Sequence, residues 1–326
     1  MHQYIDKKLW TGRVDSKTDV KTFRFHQVVD CLADIYSLKK ENAFCIIGFE
    51  SDEGVKRNKG RIGAAKAPNK IRSFLSNFPS SILKGQQLID TGNITCEDNK
   101  LEKAQEDLGA HVSTILAHDA TPIIIGGGHE TLYGHYLGAR EHLGENASLG
   151  IINIDAHFDM RNDEIPSSGT MFRQILESDK NAGYLCLGIQ PFGNTESLFL
   201  EADRLGCTYL LEEEVTENQN DQVYKAIDRF SKSHDAIILT LCTDSIAISE
   251  APGVSAPGPF GLSSKVVRKL LKYIVSQKNT LSFDISEVNP LVDEHDKTTR
   301  LAAYLVAEVL QNFNRTIKNG MKEDNE

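Results

Sequence analysis

The chain lacks any apolar run approaching the ~20 residues of a membrane span, and its N-terminal stretch, MHQYIDKKLW, lacks the apolar centre of a secretory leader. It has no CxxC pair, and its six cysteines, Cys31, Cys45, Cys96, Cys186, Cys207 and Cys242, follow no framework spacing. Cys45, Cys186 and Cys242 lie inside apolar runs, where a reduced buried thiol is the ordinary state, so the expected compartment is the cytoplasm. Basic charge is also scarce: 36 Lys and Arg stand against 46 Asp and Glu, a net charge of −10. That balance argues against nucleic acid or an anionic membrane as partner. It leaves an anionic substrate open, because the field inside a metal pocket is set locally. Internal repeats and long low-complexity linkers are missing as well.

What remains is an ordinary globular composition, 40% apolar and 25% charged over 326 residues. That length buries one large α/β domain or two smaller ones. Short apolar runs recur at 43–48, 86–90, 121–128, 148–155, 184–189, 207–211, 235–242 and 280–286. Helical periodicity separates them at about 66–77, 101–118, 131–143, 196–205, 219–233, 263–277 and 298–318. Several runs are apolar at nearly every position, as in parallel strands covered on both faces. The alternation predicts a three-layer αβα sandwich, with a barrel as the alternative.

In open parallel sheets ligands bind beyond the carboxyl ends of the strands. After TPIII come Gly126, Gly127, Gly128, His129 and Glu130; the glycines permit a tight turn and deliver His129 towards the next helix. On their own they fit phosphate binding or plain turning equally well, although neither a G-x-G-x-x-G fingerprint nor a P-loop lysine accompanies them. After SLGIIN come Asp155, His157 and Asp159 at alternate positions, which an extended segment points to one side. Two carboxylates and an imidazole leaving a buried strand repel and desolvate badly unless a cation compensates them. After DAIILTL come Cys242 and Asp244, again on one face by the period of two. Alone, Cys242 reads as a small core residue; beside the other motifs it reads as a thiolate ligand. These groups exceed what one ion needs, and two divalent ions ~3.5–4 Å apart would neutralise them. Carboxylates with imidazole suit manganese, and tolerate iron, cobalt or zinc.

At these residues the sequence resembles the arginase–agmatinase family of ureohydrolases, whose GGGHD or GGGHE, DAHxD and SxDxD motifs close three strands. The resemblance runs from Gly60, Arg61, Ile62, Gly63 and Ala64, through Pro68, to Glu287, Val288, Asn289 and Pro290. It implies an eight-stranded parallel sheet between helices, a single domain over 1–326 and a homo-oligomer, commonly a trimer or hexamer. Within that domain the first ~35 residues form an extension, and ~320–326 a frayed polar tail. It implies two manganese ions: His129 and Asp159 on one, His157 and Asp244 on the other, Asp155 and Cys242 on both. Most members carry Asp where this chain has Cys242. It also implies that Glu287 holds an amidine-like group.

Three further stretches resemble the branch whose substrate is N-formimidoyl-L-glutamate: Leu9 to Arg13 (LWTGR), Ser167 to Gln174 (SSGTMFRQ) and Ala251 to Pro257 (APGVSAP). Hydrolysis then needs a proton carrier, for which Asp159 is placed, and partners for two substrate carboxylates. Arg161 and Arg173, which follow the DAHFD motif, are the candidates, with Ser168 beside them. Agmatine, guanidinobutyrate or arginine as substrate would call for acidic rather than arginine-bearing walls. The alternative of another class is a non-catalytic binding protein with a metal site crippled at Cys242.

Overall fold

Runs such as AIILTLC and LGIINI are buried at every position, so each needs cover on both faces. The computed structural model describes residues 1–39, 42–216 and 220–314. Ten strands join one sheet: β1 (His2–Gln3), β2 (Asp30–Cys31), β3 (Ala43–Glu50), β4 (Gln87–Thr95), β5 (Thr121–Ile125), β6 (Leu149–Ile154), β7 (Ala182–Ile189), β8 (Thr208–Leu211), β9 (Ala236–Cys242) and β10 (Thr280–Ser286). The helices are α1 (Phe25–Val28), α2 (Glu53–Arg57), α3 (Ala67–Leu75), α4 (Leu101–Ala117), α5 (Thr131–Leu143), α6 (Met171–Ser178), α7 (Glu196–Arg204), α8 (Asn220–Lys232), α9 (Ser264–Val275) and α10 (Lys297–Asn312). Residues 315–318 of the last expected helix, and the polar tail, lie outside the described residues.

Eight strands pair in parallel in the order β4-β3-β5-β10-β9-β6-β7-β8. This is the expected α/β sheet, with one correction: β1 and β2 extend it at the β4 edge, β1 antiparallel. Strands of two residues carry no alternation to read. Alternate side chains divide the sheet between two helical layers. Ile123, Ile152, Leu239 and Phe283 pack with α3, α8, α9 and α10. Ile151 and Ile238 pack with α5, α6 and α7 on the other side, and Ile47, Phe49 and Ile124 with α4.

The N-terminal segment is fastened to the β4 edge through one buried polar cluster. Trp10 is 3% exposed, and its Nε1 donates to Asp90 at 2.7 Å. Asp90 also accepts from the fully buried Arg72, at 2.8 Å from Nε and 2.9 Å from NH2. Arg72 donates further to Asn93 and to the carbonyl of Gly92. A buried guanidinium with this many acceptors has exchanged its water for fixed partners.

Because the eight strands are parallel, their carboxyl ends share one edge of the sheet. The four chemistry-bearing motifs leave β5, β10, β9 and β6, which are neighbours at its centre. Motifs more than a hundred residues apart in the chain thus open onto one place.

Candidate metal centre

The turn after β5 is possible because Gly127 has no side chain: a Cβ there would lie 1.8 Å from the Ser51 carbonyl oxygen at the end of β3. His129 follows, two residues before α5 begins. It is 1% exposed, and its Nδ1 faces Asp155 Oδ2 and Asp159 Oδ2, each at 3.0 Å. Its Nε2 lies 3.0 Å from the Thr240 hydroxyl, which donates to Asp284 at 2.8 Å. Having given its proton to Asp284, the hydroxyl can only accept from His129, so His129 carries hydrogen on Nε2 and keeps Nδ1 for the centre. Asp284 is anchored from behind by His135 Nδ1 at 2.7 Å, and all four residues are buried.

The acids converge by a route different from the one expected. The strands end at Ile154 and Cys242, and no extended segment carries Asp155, His157 and Asp159. Instead the chain turns back: the His157 N–H donates to Asp155 Oδ1 at 2.9 Å, and Asp159 adopts φ +50°. Thr243–Ser245 forms a 3-10 turn that sets the Cys242 Sγ 2.8 Å from Asp244 Oδ1. Glu287 likewise leaves β10 with φ +67°. Left-handed backbone at a non-glycine residue costs on the order of 1 kcal/mol and gathers where function needs a side chain aimed. Glu287 accepts the His129 N–H at 2.9 Å and lines the same cleft.

His129, Asp155 and Cys242 form one group of potential ligand atoms within 4.8 Å of one another, and Asp155, His157 and Asp244 form a second. Asp155 is common to both, as a bridging ligand must be. Asp159 flanks the first group at His129. His157 Nδ1 lies 3.3 Å from Asp244 Oδ2.

The electrostatics record an excess of buried negative charge. Burial alone would raise Asp155, but His129 and His157 outweigh it and hold that carboxyl far below its usual range. Burial, with Asp155 adding to it, raises Asp159 against the opposing pull of His129. Burial would lower both imidazoles. Asp155 and Asp159 keep His129 well above its ordinary value, and Asp244 with Asp155 takes His157 to about 12. Glu287 is pushed well up by burial and then by Asp244 and Glu130. Cys242 is pushed up by burial and by four surrounding carboxylates, so it is a thiol until a cation joins it. Carboxylates, imidazoles and a thiol gathered out of water are a donor set that fits divalent cations.

The cleft above them, about 100 Å³, is lined by Val55, Asn58, Arg161, Ser168, Ser255 and Glu287 among others. Arg161 and Ser168 therefore reach the site, as the sequence suggests. Arg173 does not. Its guanidinium is spent on Glu177 at 3.2 Å and Glu201 at 3.1 Å, carboxylates of α6 and α7 on the outer side. A helix-face ion pair overrode the motif's promise, and Arg173 is removed from the substrate-binding set. Sequence reasoning missed Asn58 and the Thr240–Asp284–His135 support. Thr240 sits two residues before Cys242 on the same strand, which is the one signal that could have found it.

Comparison with known proteins bears directly on this site. A family model described as Arginase family matches residues 42–311. A formimidoylglutamase of Geobacillus sp. (strain WCH70) is 54% identical over 318 residues, covering 97% of this chain and 98% of the relative. One of Staphylococcus aureus (strain MRSA252) is 38% identical, covering 95% and 100%. Among solved structures, formimidoylglutamase from Bacillus subtilis subsp. subtilis str. 168 superposes with a TM-score of 0.81 at 23% identity, covering 92% of this chain and 94% of that one. At that identity it speaks to the fold alone. Trypanosoma cruzi formiminoglutamase with Mn2+ superposes with a TM-score of 0.78 at 28% identity, covering 89% and 98%.

Proposed function

The chain belongs to the arginase family, and from that premise we propose that it is a two-manganese hydrolase that cleaves N-formimidoyl-L-glutamate with water to L-glutamate and formamide, in the breakdown of histidine. The observation that carries the metal reading is Asp155 shared between two ligand groups. The relatives named formimidoylglutamase, matched over nearly their whole length, support the substrate.

When bound, the two cations supply a water of lowered pKa and positive charge for the developing transition state. The protein's own groups do the rest. Glu287, buried at the cleft wall, holds the amidinium of the substrate by charge-assisted hydrogen bonds and keeps it protonated and electrophilic. Arg161 and Ser168 grip a substrate carboxylate, the guanidinium by paired N–H donors. Asp159 takes the proton released by the attacking water and hands it to the glutamate nitrogen as the C–N bond breaks. Formamide and glutamate leave. Cys242 would join His129 and Asp155 in holding one cation, and its thiolate would supply a single negative charge from a softer atom than a carboxylate oxygen.

Six free thiols suit a reducing compartment, the cytoplasm. Among the described residues no helix is long and apolar enough to cross a membrane. A homo-oligomer is the proposed assembly, read by sedimentation velocity. The test of function is glutamate release from formimidoylglutamate by manganese-reconstituted enzyme, with agmatine and arginine in parallel. Cleavage of agmatine but not formimidoylglutamate overturns the substrate.

A further inference from the structure

The loop that leaves β3 reaches across the cleft and touches both groups that face the substrate's acid end. Asn58 closes the short helix α2, its N–H bonded to the Gly54 carbonyl at 2.9 Å. Its side-chain amide lies between Arg161 and Ser168. Arg161 NH1 donates to Asn58 Oδ1 at 2.7 Å, and Asn58 Nδ2 donates to Ser168 Oγ at 3.2 Å. The orientation of the amide is fixed by chemistry, since a guanidinium has only donors and must face the oxygen. The NH2 is thereby committed to Ser168.

Two consequences follow for the cleft. The Ser168 oxygen accepts from Asn58, so its own hydrogen points away from Asn58 and is available to a group in the cleft that Ser168 lines. Arg161, otherwise a long exposed side chain with many rotamers, is held in one place with its remaining N–H groups free to donate. Both residues ride on the same loop, closed by the Arg161 N–H on the Gly169 carbonyl at 2.8 Å. The Asn58 loop is tied to it a second time by Arg57 NH1 on the Pro166 carbonyl at 3.0 Å. Gly169 keeps room for the amide, because a Cβ there would approach Asn58 Nδ2 to 3.1 Å.

We infer that Asn58 is a specificity-determining positioning residue: it holds the Arg161 guanidinium at the cleft and turns the Ser168 hydrogen away from itself, so that the pair favours a carboxylate-tailed amidine over an amine-tailed guanidine. This rests on the reading of Arg161 and Ser168 as the carboxylate grip. A carboxylate offers only acceptors and meets both donors; an ammonium is repelled by the guanidinium and finds at most the one remaining lone pair of Ser168.

Asn58→Ala and Asn58→Asp in the full-length, manganese-loaded enzyme test it, with formimidoylglutamate and agmatine as substrates and glutamate binding measured by calorimetry. In Asn58→Ala, KM for formimidoylglutamate and Kd for glutamate rise about tenfold, the worth of one well-placed charged hydrogen bond, while kcat and metal content hold. Asn58→Asp neutralises Arg161 and draws the Ser168 hydrogen onto itself, so both constants rise about a hundredfold and the preference for formimidoylglutamate over agmatine narrows. A KM and a glutamate Kd within twofold of wild type in Asn58→Ala overturn the inference, as does a fall in kcat at constant KM. Should Asn58→Asp not fold, the alanine variant decides alone. Wild-type enzyme that neither hydrolyses formimidoylglutamate nor binds glutamate sinks the functional reading itself, a result distinct from active wild type with indifferent variants.

Discussion

Thr240→Val removes one oxygen at almost constant volume from beneath the centre. Thr240 is fully buried, and its hydroxyl serves two partners, His129 Nε2 at 3.0 Å and Asp284 Oδ1 at 2.8 Å. Water cannot take its place in a packed strand, so each partner pays close to its desolvation cost, about 1–3 kcal/mol. Asp284 keeps His135 through its other oxygen, which places it at the low end. The sum is a loss of roughly 2–4 kcal/mol, a large share of a stability of about 5–15 kcal/mol. The hydroxyl also fixes the hydrogen of His129, so affinity for manganese falls about 10–100-fold. Denaturant unfolding of chelated protein reads the first effect, and competition with a fluorescent chelator reads the second. Thr240→Ser keeps the oxygen and loses a methyl, about 1 kcal/mol, with metal affinity preserved. A valine variant within 0.5 kcal/mol of wild type and equal in metal affinity refutes the argument that the Thr240–Asp284–His135 chain supports His129.

Three further outcomes follow from single side chains. Cys242→Asp stays active, and on loading with cobalt it loses the near-ultraviolet thiolate charge-transfer band that the wild type shows; absence of that band in wild type removes Cys242 from the ligands. Arg173→Ala leaves KM within twofold and kcat unchanged, because its guanidinium already faces Glu177 and Glu201; a sharply raised KM would return it to the site. His111 is held below its ordinary value of 6.5 by burial, aided by the neighbouring His2. Its folded state therefore binds a proton less readily than the unfolded chain, and stability is lost as pH falls through 6.5 and below. His111→Gln flattens that part of the stability–pH curve measured on chelated protein.

Most of the site was legible because its residues sit where apolar runs stop. Asp155 and Glu287 directly follow β6 and β10, Cys242 is the last residue of β9, and His129 comes three glycines after β5, all strands whose burial is written in their composition. The manner of convergence was not legible. A period of two put Asp155, His157 and Asp159 on one side of an extended segment, whereas the structure brings them near one another by a turn with left-handed backbone at Asp159, a tertiary outcome that local pattern does not encode. The adjacency of β5, β10, β9 and β6 depends on sheet order, which no single segment contains. Helix α6 was missed because its eight residues follow a polar loop and give scarcely two turns of periodicity. β4 was read as 86–90 and runs to Thr95: its ladder with β3 shifts register after Asp90, past Gly92 at φ +90°, and resumes at Asn93. Asn58 gave no signal: an amide in a charged loop acquires meaning only from the Arg161 and Ser168 it meets across the cleft.

The central claim is a pair of cations sharing Asp155. Electron paramagnetic resonance of the manganese-loaded protein, with metal content counted on the same sample, addresses it most directly. The account predicts about two manganese ions per chain and the broadened, exchange-coupled spectrum of ions ~3.5–4 Å apart. A simple six-line spectrum of isolated manganese at one ion or fewer per chain would contradict it.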